Sequence, residues 1–189
     1  MPNNDEEQKP VRKTWLMIKK PKLDNIVEFN TNIIPKFDGA NEITDKWGVW
    51  KLSSTEANNN NFIYENIWNI ADKNEDTNCR LRYKNKGMTG IVDLILPEGV
   101  AICPKQVGIT MASECIGEYF YGYNPDKKVW EQLLNSDDFG LNNKIMSIPN
   151  PMINTDIFFT KFRWDTRAIT KDFTYIAEIK ILQGIIKKI

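Results

Sequence analysis

About ten short runs of β-branched and aromatic residues recur along this chain at intervals of about ten residues, each closed by a cluster of Asn, Gly, Pro or Asp. No stretch sustains a 3.6-residue apolar period long enough for a convincing long helix. Strands that short must hide one face against a second sheet, so the pattern predicts an all-β sandwich. Its clearest part is the closing stretch. Residues 156–166 and 175–183 read as two strands joined by a short polar loop. In the second, Tyr175, Ala177, Ile179 and Ile181 point one way and Ile176, Glu178 and Lys180 the other. Phe162 and Trp164 share a face in the first, so Arg163 faces away from them. The rest of the sandwich is expected to be built around this pair, with Phe162, Trp164, Ile179 and Ile181 packed inside.

Further strands are predicted over residues 13–20, with 25–30 continuing the first, and over 106–112 and 144–148. Residues 117–123 should turn through Asn124-Pro125-Asp126 and return at 129–134. Residues 79–83 and 89–96 look like a hairpin turned at 85–87. Residues 53–61, with four consecutive asparagines, read as a solvated loop, and 185–189 as a tail. Residues 62–71 suit either a short helix or a strand. The expected organisation is an N-terminal arm and first strand over 1–24, then one sandwich domain over 25–189.

Composition narrows the chemistry. The chain of 189 residues is long enough to bury a core without disulfides or metal. It has no histidine, which removes Ser-His-Asp triads, Cys-His pairs and His-based zinc sites. Lys plus Arg and Asp plus Glu each number 25, and about four-fifths of the basic residues are lysine. Neither nucleic-acid binding nor membrane insertion is expected from that balance or from the apolar runs, none of which approaches a membrane span. Cys79, Cys103 and Cys115 lack CxxC spacing and read as unbridged thiols of a reduced compartment. The charged start carries no signal-peptide core. Carboxylate-pair catalysis stays chemically open, but no spacing singles out Glu65, Asp93, Glu114 or Glu118, so the chain is read as non-enzymatic.

The aromatic residues are more informative. Trp47 and Trp50 lie three apart, which in a strand sets them on opposite faces, so at most one belongs to the core. Tyr119, Tyr121 and Tyr123 share one face and Phe120 takes the other. The sheet core accounts for most of this pattern, with an aromatic binding face as the alternative.

Three segments in order resemble the discoidin, or F5/8 type C, family of galactose-binding-like β-sandwiches. Phe37-Asp38-Gly39 followed by Thr44 and Trp47 is similar to the family's A-x-D-G…T-x-W segment. Asn124-Pro125-Asp126 followed by Trp130 and Leu133 resembles its S-x-D-G-x-x-W-x-x-L, with Lys127 where glycine is usual. Phe162-Arg163-Trp164, then Ala177-Glu178-Ile179, and Gly184 near the close, resemble its ending. The resemblance covers residues 25–184 and implies a jelly-roll-like sandwich with binding loops at one end. It further implies a structural Ca2+ between the Asp-Gly loop and the last strand, held by Asp38, Thr44 and Glu178. No cysteine stands near either end to form the terminal disulfide of extracellular members.

Two functions follow as expectations. The leading one is a non-catalytic structural or binding subunit of a larger assembly, such as a phage or viral particle. It would be made in the cytoplasm, with protein partners that include a second copy of the chain. A partner subunit would hold the polar arm, residues 1–11. The alternative is a lectin-like module for a cell-surface glycan, in which Arg80 or Arg82, with Asn124 or Trp50, would supply the contacts.

Overall fold

The computed structural model describes residues 26–55, 63–82, 89–111, 115–135, 144–149, 157–168 and 173–189. The arm and the strand expected over 13–20 lie outside the described residues. Among the described residues, twelve strands form two antiparallel sheets, as the strand spacing predicts. They are β1 (Ile26–Phe29), β2 (Glu42–Asp45), β3 (Gly48–Thr55), β4 (Ile63–Glu65), β5 (Cys79–Arg82), β6 (Thr89–Ile95), β7 (Val100–Met111), β8 (Cys115–Asn124), β9 (Val129–Leu134), β10 (Lys144–Ser147), β11 (Lys161–Ala168) and β12 (Phe173–Lys188). Sheet I runs β10-β7-β12-β5-β4, with β1 also on β12; sheet II runs β2-β3-β6-β11-β8-β9.

The closing strands are not paired with each other. β11 sits between β6 and β8 at the centre of sheet II, and β12 between β7 and β5 in sheet I. The chain crosses the sandwich between them, and Thr166 and Thr174 meet across the core with hydroxyls 3.4 Å apart. Thr166 also donates to the Gly90 carbonyl at 3.1 Å, which satisfies a hydroxyl buried in an apolar interior.

The expected hairpin of residues 79–96 is likewise a crossing: β5 pairs with β4 and β12, and β6 with β3 and β11. Alternation assigns each strand an inner face but carries no information on its neighbour. The ambiguous stretch before it is both things in turn, strand β4 and then a 3-10 helix at Ile67–Ala71 whose Ile67, Ile70 and Ala71 are buried. β3 extends through Ser53 to Thr55, into what reads as a loop. Residues 185–189 are no tail either, since β12 continues to Lys188 and pairs with β1 and β7.

The core lies between the sheets. Phe162, Trp164, Ile179 and Ile181 are fully buried, as the alternation predicts. Phe120 stacks on Phe162 at 5.6 Å between ring centroids and tilts against Trp164 at 4.9 Å. Ile176 is also buried, because a bulge beside it breaks the simple alternation of β12, and Glu178 is buried on the opposite side from Ile179 and Ile181.

Candidate functional site

With Phe120, Phe162 and Trp164 turned inward, the alternate residues of β8 and β11 form the outer face of sheet II. Strand register aligns them in rows. Ser53, Asp93, Arg163, Tyr121 and Gln132 make one row, and Lys51, Ile95, Lys161, Tyr123 and Trp130 the next. Tyr119 lies opposite Asp165 in the row beyond. The tyrosines and Trp130 are half-buried.

Charged groups are fixed among these rings. The Arg163 guanidinium donates to both oxygens of Asp93, at 2.7 and 2.8 Å, a bidentate geometry that holds its plane. Its carbon lies 4.3 Å from the Trp130 ring centroid. Those hydrogen bonds hold Arg163 above its ordinary range. Lys161 reaches over Tyr123 at 5.1 Å, and Tyr123 meets Trp130 edge-on at 5.4 Å. Tyr119 and Tyr121 pack at 5.8 Å, and Arg167 bonds Glu118 at 2.8 Å.

Asp165 sits under this surface. Burial foremost, and the Glu118 carboxylate next, push its carboxyl up to about 7. Its Oδ1 has no hydrogen-bond partner among the described residues. Burial and then Asp165 raise the Tyr121 phenol as well. Half-buried rings beside a locked guanidinium and phenol hydroxyls suit a ligand with both a hydrophobic face and hydroxyl groups. Sequence alternation sets the three tyrosines on one face, but only the register brings Trp130 and Arg163 to them.

The residues expected to contact a ligand are scattered. Trp50 is fully buried, and its indole N–H donates to Asp45 Oδ1 at 2.8 Å, so it is a core residue. Trp47 precedes β3 in the turn, which exempts it from strand parity; its backbone N–H donates to the same Asp45 oxygen at 2.8 Å. Asp45 thus organises this turn, a role that the Asp45-Lys46-Trp47-Gly48 run could have signalled. Asn124 is 5% exposed and braces its turn. Its Oδ1 accepts the N–H groups of Asp126 and Lys127 at 3.1 and 3.2 Å, and its amide donates to Glu131. Arg80 is half-buried on β5, in the opposite sheet from the tyrosines, and the side chain of Arg82 lies outside the described residues. Of the carboxylates weighed for catalysis, Asp93 and Glu118 are bound in the ion pairs above, and the side chains of Glu65 and Glu114 lie outside the described residues.

The implied calcium site fits poorly. Asp38 and Thr44 are exposed, whereas Glu178 is 1% exposed. No group of three His, Cys, Asp or Glu placed to hold a metal occurs among the described residues. Neither oxygen of Glu178 meets a well-aligned hydrogen-bond donor there, although the Lys73 backbone N–H lies close enough to act on the carboxyl. Burial pushes this carboxyl up to about 7, with Lys73 and then Lys180 pulling it back.

No protein-family model matches the sequence. No curated protein matches it either. Solved structures do. A family 32 carbohydrate-binding module of Clostridium perfringens NanJ, in complex with galactose, superposes with a TM-score of 0.51 at 12% identity, covering 72% of this chain and 93% of the module. The module CpGH89CBM32-6 of the same organism gives 0.50 at 15% identity, over 71% of this chain and 94% of the module. CBM62 from Clostridium thermocellum Xyl5A gives 0.50 at 18%, again over 71% and 94%. The chain therefore has the galactose-binding-like, or discoidin-like, β-sandwich fold, as its motifs led us to expect. These neighbours are carbohydrate-binding modules, and none of them points to a phage or viral particle.

Proposed function

We propose that this chain is a non-catalytic glycan-binding module, and that its ligand lies across the outer face of sheet II. One observation carries the reading: Tyr119, Tyr121, Tyr123 and Trp130 share a face on which Asp93 holds Arg163 in a fixed plane. Aromatic rings stack on the C–H faces of sugar rings, and a guanidinium edge or phenol hydroxyl can bond their hydroxyls. Arg163 and Arg167 are each paired with a carboxylate on this face, which favours a neutral sugar over a highly charged one. The likeness to carbohydrate-binding modules supports the class of ligand; the geometry supports the position.

A glycan array followed by calorimetry on the hits tests both parts. The parent chain should bind neutral glycans, and Trp130→Ala and Tyr121→Ala should each weaken binding by about tenfold or more. An array without hits overturns the function. Undiminished binding by both variants overturns the site.

A further inference from the structure

Resting on the glycan reading above, we infer that the outer face of sheet II takes a linear run of three neutral sugar units laid along β8 and β11, and that a single sugar does not fill it. Strand register sets Tyr123 opposite Lys161, Tyr121 opposite Arg163 and Tyr119 opposite Asp165. Each aromatic ring therefore has a polar side chain beside it on the neighbouring strand, and the pairing repeats at every second residue. Two residues of strand advance about 7 Å, so the three pairs span about 13 Å from Tyr119 to Tyr123. One pyranose ring covers a single step of that ladder, and successive rings of an extended chain repeat at a comparable interval.

Aromatic surface is present at every step. Tyr119 and Tyr121 lie 5.8 Å apart between ring centroids. Trp130, opposite Tyr123 on β9, widens the strip at its other end, 5.4 Å from the Tyr123 ring. At the middle step Asp93 engages only the Nε and one terminal nitrogen of Arg163, which leaves further guanidinium N–H groups for a sugar hydroxyl. A chain laid across the strands would soon leave the rings. The row of Tyr121 holds one ring and the row of Tyr123 two.

The strip is bounded at both ends. Beyond Tyr119 the register of β8 on β11 slips between Asp165 and Thr166, and Glu118 is the extra residue of the bulge. Arg167 binds its carboxylate at 2.8 Å, so the rings give way to an ion pair there. Beyond Tyr123 the strand ends at Asn124, which is buried in its turn and accepts from the Asp126 and Lys127 N–H groups. Ring and polar partner thus recur at three successive steps and stop on either side, which sets the run at three units.

The test is calorimetry of the full chain with cello-, xylo-, manno- and galacto-oligosaccharides of one to six units. In the series that binds, affinity should climb by about fivefold per unit up to the trisaccharide and then level off. In Tyr119→Ala the gain from disaccharide to trisaccharide should disappear. Full affinity reached by the monosaccharide overturns the proposal, as does a rise that continues unchanged to the hexasaccharide, or a trisaccharide gain that survives in Tyr119→Ala. Binding at no length overturns it as well, whereas the glycan reading falls only with an array that has no hits. Should Tyr119→Ala fail to fold, the length series of the parent still decides.

Discussion

Asp165 carries the most readily measured consequence of the half-buried face. Its carboxyl keeps its proton up to about pH 7 in the fold, while the ordinary aspartate value, near 3.8, applies to the unfolded chain. Between those values the folded state binds more protons than the unfolded one, so its stability falls as pH rises. Below the lower value both states are protonated and the effect vanishes. Asp165→Asn should therefore be more stable than the parent at about pH 8, by on the order of 1–2 kcal/mol once partial solvent access is allowed for. Its advantage should shrink to nothing near pH 3.5. Urea unfolding at the two pH values checks this; an equal gain at both would place the cause elsewhere.

Asp45 makes a second prediction at this scale. It accepts at 2.8 Å from both the Trp47 backbone and the buried Trp50 indole. Asp45→Ala leaves that indole N–H without its acceptor and should cost about 2–3 kcal/mol in chemical denaturation. A loss within error of zero would show that water replaces the carboxylate.

Among the elements, β8 shows how closely the inner face is filled. A Cβ added to Gly122 would stand 2.5 Å from the Phe159 ring. Phe159 is held there by reciprocal 2.9 Å backbone bonds with Ile102, so it has little freedom to retreat. Gly122→Ala should destabilise by about 1–3 kcal/mol, and by clearly less in a Phe159→Leu background. Melting curves of the four chains measure the relief. The strands themselves were legible because their period of two is local. Their partners were not: β5 and β6 are separated by a short connection yet lie in opposite sheets, as do β11 and β12. The tyrosine face was half legible for the same reason. Tyr119, Tyr121 and Tyr123 fall on one side by counting, but Trp130 and Arg163 join them only through pairings along β8. Glu178, outward by counting, is buried because a distant loop lies over it, and no strand period can signal that.

At the scale of the molecule, β12 is the strand on which sheet I depends. One edge pairs with β7 along most of its length, and the other takes β5 near its start and β1 near its end. The last five residues belong to this arrangement. Ile186 is fully buried, Ile185 to Lys187 face β1, and the Ile189 N–H donates to Gly99 at 2.8 Å. Deleting residues 185–189 removes a buried isoleucine worth about 2–3 kcal/mol and exposes the edge that β1 covers. With the lost ladder bonds the cost should reach about 4 kcal/mol or more, a large share of the roughly 5–15 kcal/mol that keeps a domain folded. The truncated chain should thus unfold at a much lower urea concentration than the parent, and its β1 segment should become protease-sensitive. An unchanged midpoint would mean that β12 is complete before Ile185 and that its C-terminal ladder contributes nothing to the sandwich.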